Sequence, residues 1–427
     1  MSITIKPTFK SVLILLPMLL LGGFATVQAQ ADTAQHIISA NRNSPEQQQK
    51  PYVILISADG FRHDYAKKYE ASHLLELSSN GVQAESMIPG FPSVTFPNHY
   101  SIATGLYPSH HGIVNNTFYD KKKDSKYSMG AKDKVKDGSW YGGTPIWVLA
   151  EQQHMLAANM FWVGSEAAIQ NTRATYYYDF NEKIAVNQRI QTVKEWLSLP
   201  AERRPHLITF YLSEPDHAGH RYGPEAPETQ KAVKMVDSII YQLTEAVKST
   251  GLPVNFIFVS DHGMTAVDRE NPLALPKEID MEKFTIPSSG TMVDILAKDK
   301  ADILPLYTKL KKVAIDYDVY LKADVPAELH YSAKDDRFDR IGDILLMPHW
   351  PKVFSNRQPG AGYHGFQPLK VKDMHATFLA WGPAFKHNKQ IPAFENVNVY
   401  PLIAEILGLN ISENIDGKKK VLKNILQ

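Results

Sequence analysis

Residues 52–60, Tyr-Val-Ile-Leu-Ile-Ser-Ala-Asp-Gly, decide the fold. Six residues of near-continuous apolar, β-branched character, Tyr52 to Ser57, run into Ala58-Asp59-Gly60. Two later stretches repeat the pattern: 207–212, Leu-Ile-Thr-Phe-Tyr-Leu, meets Ser213-Glu214-Pro215-Asp216, and 254–259, Val-Asn-Phe-Ile-Phe-Val, meets Ser260-Asp261-His262-Gly263. Runs without polar alternation read as strands buried on both faces, the pattern of a parallel sheet covered by helices. A helical pattern separates the last two, with Val233, Val236, Ile239, Ile240 and Leu243 at helical spacing between Thr229 and Lys248. Strand, helix, strand predicts an α/β fold with a central, mostly parallel sheet flanked by helices. In such sheets ligands sit beyond the carboxyl ends of the strands, where all three polar clusters fall.

Outward from this core, 282–350 has a different texture. Short strands are predicted at 292–296, 318–322, 329–331 and 344–347, with a helix over 303–314, which together read as a small α+β insertion. The chain returns to the core through a strand at 377–381 and a last helix at 400–407. At the other end, Lys6 and Lys10 precede an apolar stretch from Val12 to Ala25, and Ala29-Gln30-Ala31 supplies a small-residue cleavage pattern. Residues 1–31 therefore read as a secretory signal peptide. Fourteen apolar residues broken by Pro17, Gly22 and Gly23 are too few for a stable membrane anchor. Residues 32–50, rich in Gln, Asn and Ser, read as a flexible lead-in to one domain over 51–427. The expected location is the periplasm or the exterior, which suits an exported chain with no cysteine.

The 427 residues are 44% hydrophobic and 21% charged, enough for a large core and unlike a disordered or coiled-coil chain. A net charge of +1, or −1 after loss of residues 1–31, argues against binding to a nucleic-acid duplex. Seven lysines between Lys121 and Lys136 read as a solvated surface loop. With no cysteine, thiolate metal sites and cysteine nucleophiles are excluded, and any transition metal must be held by His and carboxylate.

Asp216 and His220 are four apart, so on a helical turn both project from one face. Asp261 and His262 follow a strand end. Asp59, Asp216, His220, Asp261 and His262 should gather along one sheet edge, donors enough for two metals. His/Asp ligation favours zinc, with manganese or iron tolerating the same donors. His364, in Gly360-Ala361-Gly362-Tyr363-His364-Gly365, is the best further ligand because the flanking glycines allow close approach. Between Pro89 and Ser101, Pro97 suits the first position of a helix, with Thr95 or Phe96 at its entrance. Thr95 is then either an ordinary N-cap or a metal-bound hydroxyl that attacks phosphorus. Asn115 and Asn116 read as turn residues.

Six motifs in order, Asp59-Gly60, Phe91-Pro92-x-x-Thr95-Phe96-Pro97-Asn98-His99, Thr104-Gly105-Leu106-Tyr107-Pro108-x-x-His111-Gly112-Ile113, Glu214-Pro215-Asp216-x-x-Gly219-His220, Ser260-Asp261-His262-Gly263-Met264 and Gly362-x-His364-Gly365, resemble the nucleotide pyrophosphatase/phosphodiesterase family of the alkaline phosphatase superfamily. The closing helix near 400–409 also resembles that family's, so the similarity spans nearly the whole chain beyond the signal peptide. The resemblance implies an alkaline-phosphatase-like catalytic phosphodiesterase domain with two zinc ions. One would be held by Asp216, His220 and His364, the other by Asp59, Asp261, His262 and the Thr95 hydroxyl. It further implies Thr95 as nucleophile through a phosphothreonine, and Asn116, with the Phe96 N–H, as donor to a nonbridging oxygen. Phe96 and Tyr211 match aromatic positions against the nucleoside, and Tyr176, Tyr177 and Tyr178 would add a wall. The region 161–166 lacks the Lys-x-Arg pair of some monoesterase relatives, favouring a diesterase that releases a nucleoside monophosphate from a small-molecule nucleotide or diester. A monoesterase, a lipid-headgroup diesterase and a catalytically silent zinc-binding surface protein are the alternatives.

Overall fold

The structure, a computed structural model, describes residues 1–4 and 33–427. The expected signal peptide therefore lies almost wholly outside the described residues. No helix among those described is long and apolar enough to cross a membrane.

The α/β expectation holds. The stretch at 52–58 forms the strand Tyr52–Ala58, buried along its whole length. It lies in a nine-stranded sheet between Leu207–Leu212 and Val254–Val259, parallel to both. Because side chains alternate across a strand, Val53 and Leu55 enter one hydrophobic cluster with Tyr100, Ile102 and Leu402, while Ile54 and Ile56 enter another with Val233, Val236 and Ile240. Helices Thr95–Thr104 and Val399–Leu407 thus cover one face, and Pro227–Lys248 covers the other. Register then does the functional work. Ser57 is level with Val259 on one side and Tyr211 on the other. Asp59 and Asp261, each two residues further on, therefore emerge side by side.

The sheet is mixed rather than uniformly parallel. Phe378–Trp381 pairs antiparallel with Val254–Val259 and with Val82–Ala84, and His36–Ile37 pairs antiparallel with Tyr176–Tyr177 at the opposite edge. That edge corrects the flexible lead-in over its described part, 33–50. His36 stacks on Tyr177 with ring centroids 4.7 Å apart. Buried Asn43 donates to the carbonyls of Ala201 and Arg204 and accepts from the Leu156 N–H. The Asn-rich composition that suggested disorder supplies side chains that satisfy the backbone of loop ends.

Within the span read as an insertion, Phe284–Thr285, Val293–Ala297, Ile344–Pro348 and Tyr317–Leu321 form, in that order, a four-stranded antiparallel sheet. Helix Ile303–Val313 packs Leu306 and Leu310 on it. The strand expected at 329–331 is absent. Ala327–Leu329 is a 3-10 turn, His330 is left-handed at φ 49°, and buried Tyr331 donates its hydroxyl to the carbonyl of Val114. The lysine-rich stretch is partly a hairpin, Thr117–Asp120 with Ser125–Ser128, that buries Phe118 and Tyr127 and exposes Lys122, Lys123 and Lys126.

One buried acid ties the lead-in to the sheet. Glu151 accepts from the N–H groups of Ala157 and Thr175, the Thr175 hydroxyl and the Asn41 amide. Burial outweighs these donors and raises its pKa to about 7. Because the folded value is raised, its stabilising contribution is complete below pH about 4.5, the ordinary value of a glutamate, and is lost as pH rises through about 7. Urea unfolding of wild type and Glu151→Gln at pH 5 and pH 8 tests this. The wild type should lose a few kcal/mol relative to the variant at pH 8, and parallel pH dependence would refute it.

Candidate active site

The centre begins with Gly60, whose φ of +66° turns the chain immediately after Asp59, and whose hypothetical Cβ would lie 3.0 Å from the Asp216 Cα. Only glycine allows that approach, and the Asp216 N–H donates to the Asp59 carbonyl at 3.0 Å. Asp216 opens the helix Asp216–Tyr222, so His220 follows one turn later on the same face, with Nε2 3.5 Å from Asp216 Oδ1. Gly362 packs so closely on this helix that a Cβ would reach the Gly219 carbonyl oxygen at 2.4 Å. That contact brings the strand Gly362–Tyr363, and with it the following His364, to the cluster.

The backbone partners of the three histidines fix where their ring protons lie. His220, His364 and His262 each place Nδ1 on a backbone carbonyl, of Gly362 at 2.9 Å, Ser93 at 3.0 Å and Gly263 at 2.9 Å. A carbonyl only accepts, so each Nδ1 carries the proton and each Nε2 presents a lone pair. Those of His220 and His364 face each other at 3.0 Å. The His364 ring also stacks on His262 with centroids 3.5 Å apart. Asp59 Oδ1 and Asp216 Oδ1 are buried without a hydrogen bond. Asp261 Oδ2 lacks one too, although His262 Nε2 is 3.0 Å away. Burial, and then the Asp261 and Asp216 carboxylates, push the Asp59 pKa up. Burial and the neighbouring His262 and His220 rings push His364 down. Acceptors facing acceptors must share either protons or cations. The donor atoms of Asp216, His220 and His364, and those of Asp59, Asp216 and His262, each lie within 4.8 Å of one another, so the residues fit two divalent metals.

Thr95 is the first residue of the helix Thr95–Thr104. Its N-cap is Val94, whose own side chain makes no capping bond. Pro97 stands third rather than first, which the free N–H positions of a first turn also permit. The Thr95 hydroxyl lies 3.2 Å from His262 Nε2. The Phe96 N–H, expected to face substrate, donates instead to Asn116 Oδ1 at 2.8 Å. That bond fixes Asn116 Oδ1 as the acceptor and leaves its NH2 as the remaining donor, while the Asn116 backbone N–H donates to Asn115 Oδ1 at 2.8 Å.

All seven expected metal donors and Asn116 are therefore in one place. The aromatic expectations fare differently. Phe96 is partly buried, its ring edge-on to Tyr127 at 6.4 Å. Tyr211 donates its hydroxyl to Asp59 Oδ2 at 2.6 Å and sets its ring between His99 and Phe180. Tyr176 and Tyr178 are buried near Trp196, and Tyr177 is held on His36, so the three tyrosines do not form the expected wall. Phe180, in edge contact with Tyr211, is exposed. His99, which the sequence reading left unassigned, lies fully buried beneath the cluster. It donates from Nδ1 to the Thr95 carbonyl, accepts on Nε2 from the Ser57 hydroxyl and lies 3.2 Å from Asp261 Oδ2. Its Nδ1 thus stands between the Thr95 carbonyl and the Asp261 carboxylate, and donor atoms of Asp59, His99 and Asp261 form a further group within 4.8 Å of one another. Its spacing of four from Thr95 was the available signal.

The family model for type I phosphodiesterase/nucleotide pyrophosphatase matches residues 53–367. Ectonucleotide pyrophosphatase/phosphodiesterase family member 1 of Mus musculus is 34% identical over 398 residues, 90% of this chain and 43% of that protein. Venom phosphodiesterase 2 of Crotalus adamanteus is 34% identical over 389 residues, 88% of this chain and 47% of that protein. The chain thus spans less than half the length of these curated relatives. Among solved structures, human ectonucleotide pyrophosphatase/phosphodiesterase 5 superposes with a TM-score of 0.82 at 28% identity, covering 88% of this chain and all of that one. The murine counterpart, in an inactive threonine-to-alanine form in complex with AMP, gives 0.82 and 28% with the same coverage.

Proposed function

The chain belongs to the type I phosphodiesterase/nucleotide pyrophosphatase family of the alkaline phosphatase superfamily, and on that premise we propose that it is an exported, zinc-dependent phosphodiesterase that cleaves nucleotides or nucleotide-like diesters to a nucleoside monophosphate. The observation that carries the proposal is the meeting of one uncapping threonine hydroxyl with buried, unpaired carboxylate oxygens and histidine lone pairs.

One zinc on Asp216, His220 and His364 and another on Asp59, Asp261, His262 and the Thr95 hydroxyl would acidify that hydroxyl and stabilise charge on the leaving oxygen. The Thr95 oxygen attacks phosphorus, the bond to the leaving group breaks, and a phosphothreonine forms. The helix N-terminus behind Thr95 favours the negative charge on its oxygen. The Asn116 NH2 donates to a nonbridging oxygen, and its hydrogen bonds to Phe96 and Asn115 hold it in place beforehand. Water then attacks phosphorus from the side the leaving group vacated, releasing the monophosphate and restoring the threonine. Tyr211 keeps Asp59 oriented through its hydroxyl and, with Phe96 and exposed Phe180, offers aromatic surface to the nucleoside. The signal-peptide pattern over 1–31 supports export, to the periplasm or beyond.

The reading is tested by comparing the p-nitrophenyl ester of thymidine 5′-monophosphate with p-nitrophenyl phosphate, which share a leaving group. The diester should react at least about tenfold faster in kcat/KM. The reverse order would replace the diesterase with a monoesterase.

A further inference from the structure

At the His220 and His364 end of the centre lies a cavity of about 290 Å³, walled by Asn115 and Asn116 on one side and by residues 288–292 and Tyr363 on the other. Segment 288–292 leads into Val293–Ala297, a strand of the four-stranded sheet, so that sheet builds one wall of the centre. In-line displacement places the leaving group opposite the attacking oxygen. Thr95 sits by His262 and does not line the cavity, whereas His220 and His364 do. The bond that breaks therefore points into it.

The chemistry of the walls then selects what leaves. Among the described lining residues none is Lys, Arg, Asp or Glu. Ser288 accepts from the Asn115 amide at 3.2 Å, which leaves its own O–H to donate. Thr291 donates to the His364 carbonyl at 3.1 Å, which leaves its oxygen to accept. A wall offering both donors and acceptors matches alcohol hydroxyls, which do both. Pyrophosphate only accepts and carries several charges, of which a metal at His220 and His364 would meet those at the breaking bond and no side chain in the wall would meet the rest. Those remaining charges gain no partner from the wall, whereas each alcohol hydroxyl finds one. The volume is at the small end of the roughly 300–1,000 Å³ typical of ligand pockets, suited to one sugar-sized group.

We infer that this chain prefers diesters whose leaving group is an uncharged, hydroxyl-bearing alcohol over nucleoside triphosphates, whose leaving group is pyrophosphate, and that segment 288–292 sets this choice. The inference rests on the phosphodiesterase reading above.

The test uses the zinc-loaded enzyme with three substrates: a dinucleoside monophosphate, ATP, and the p-nitrophenyl ester of thymidine 5′-monophosphate as reference. In wild type kcat/KM for the dinucleoside monophosphate should exceed that for ATP by about tenfold, the scale of one or two hydrogen bonds. Ser289→Lys should raise the ATP rate about tenfold relative to the reference ester by supplying the missing cation. Ser288→Ala should lower the dinucleoside rate several-fold relative to both ATP and the reference ester, which share any effect passed on through Asn115. Faster cleavage of ATP by wild type, or a ratio of the two rates unchanged in both variants, would overturn the inference and leave the diesterase intact. No turnover of any of the three would instead remove the diesterase reading beneath it.

Discussion

Thr95→Ala should lower kcat by roughly 10⁴-fold or more, the scale seen when a catalytic nucleophile is removed, while leaving metal content and melting temperature nearly unchanged. The structure separates this outcome from the ordinary one for a threonine at a helix start. A capping hydroxyl bonds a backbone N–H of the first turn, and its loss costs about 1 kcal/mol of stability. Thr95 makes no such bond; Val94 occupies the cap, and the hydroxyl points to His262 at 3.2 Å. Alanine at 95 therefore removes a nucleophile without removing a cap. Thr95→Ser keeps the hydroxyl and should keep a measurable share of turnover. Steady-state rates on the p-nitrophenyl ester of thymidine 5′-monophosphate, alongside elemental analysis and a melting curve, give all three readouts. An alanine variant retaining a tenth of wild-type turnover with full zinc would assign the attack to another group, such as water.

Why the strand ends were readable and the second layer was not follows from what each signal encodes. Tyr52–Ala58, Leu207–Leu212 and Val254–Val259 are apolar without alternation because both faces are covered, and that burial is written in composition. Direction is not so written. The equally apolar Phe378–Trp381 runs antiparallel to its neighbour because of how the chain returns from the 284–348 region, not because of its residues. Asp216 and His220 were legible from helical spacing, and His364 from its glycines. His99 has the same spacing of four from Thr95, but that spacing carries information only once the helix is known to start at Thr95 rather than at Pro97. Tyr211 required register. Sitting level with Ser57, it is placed to send its hydroxyl to Asp59, a relation between two strands about 150 residues apart in sequence that no local pattern records. The tyrosines at 176–178 misled for the same reason. Their partners, His36 and Trp196, are remote in sequence, and a lead-in read as flexible offered nothing to pair with.

Chelation should extinguish activity, and the melting temperature should fall by several degrees with it. Zinc should restore both, to a content of close to two ions per chain. The stability arm follows from the acceptor arrangement and needs no assumption about the reaction. His220 and His364 aim Nε2 lone pairs at each other across 3.0 Å, and neither can rotate its proton into the gap without abandoning the carbonyl of Gly362 or Ser93. Asp59 Oδ1 and Asp216 Oδ1 face the same space unpaired. Without cations, these groups must take up protons or repel one another, and either way the folded state is less favoured. A metal that binds only the folded arrangement adds about 4 kcal/mol when free metal stands a thousandfold above its Kd. Asp216→Asn carries the argument to a single oxygen. Asp216 Oδ1 lies 3.5 Å from His220 Nε2 and 3.6 Å from His364 Nε2, so the substitution should remove one of the two zinc ions and most of the chelator-dependent change in melting. Full activity in exhaustively chelated, metal-free protein would remove metal from the chemistry altogether. An unchanged melting curve would mean that protons already satisfy the cluster, and that its unpaired oxygens are the price of a structural hydrogen-bond network rather than the mark of a metal site.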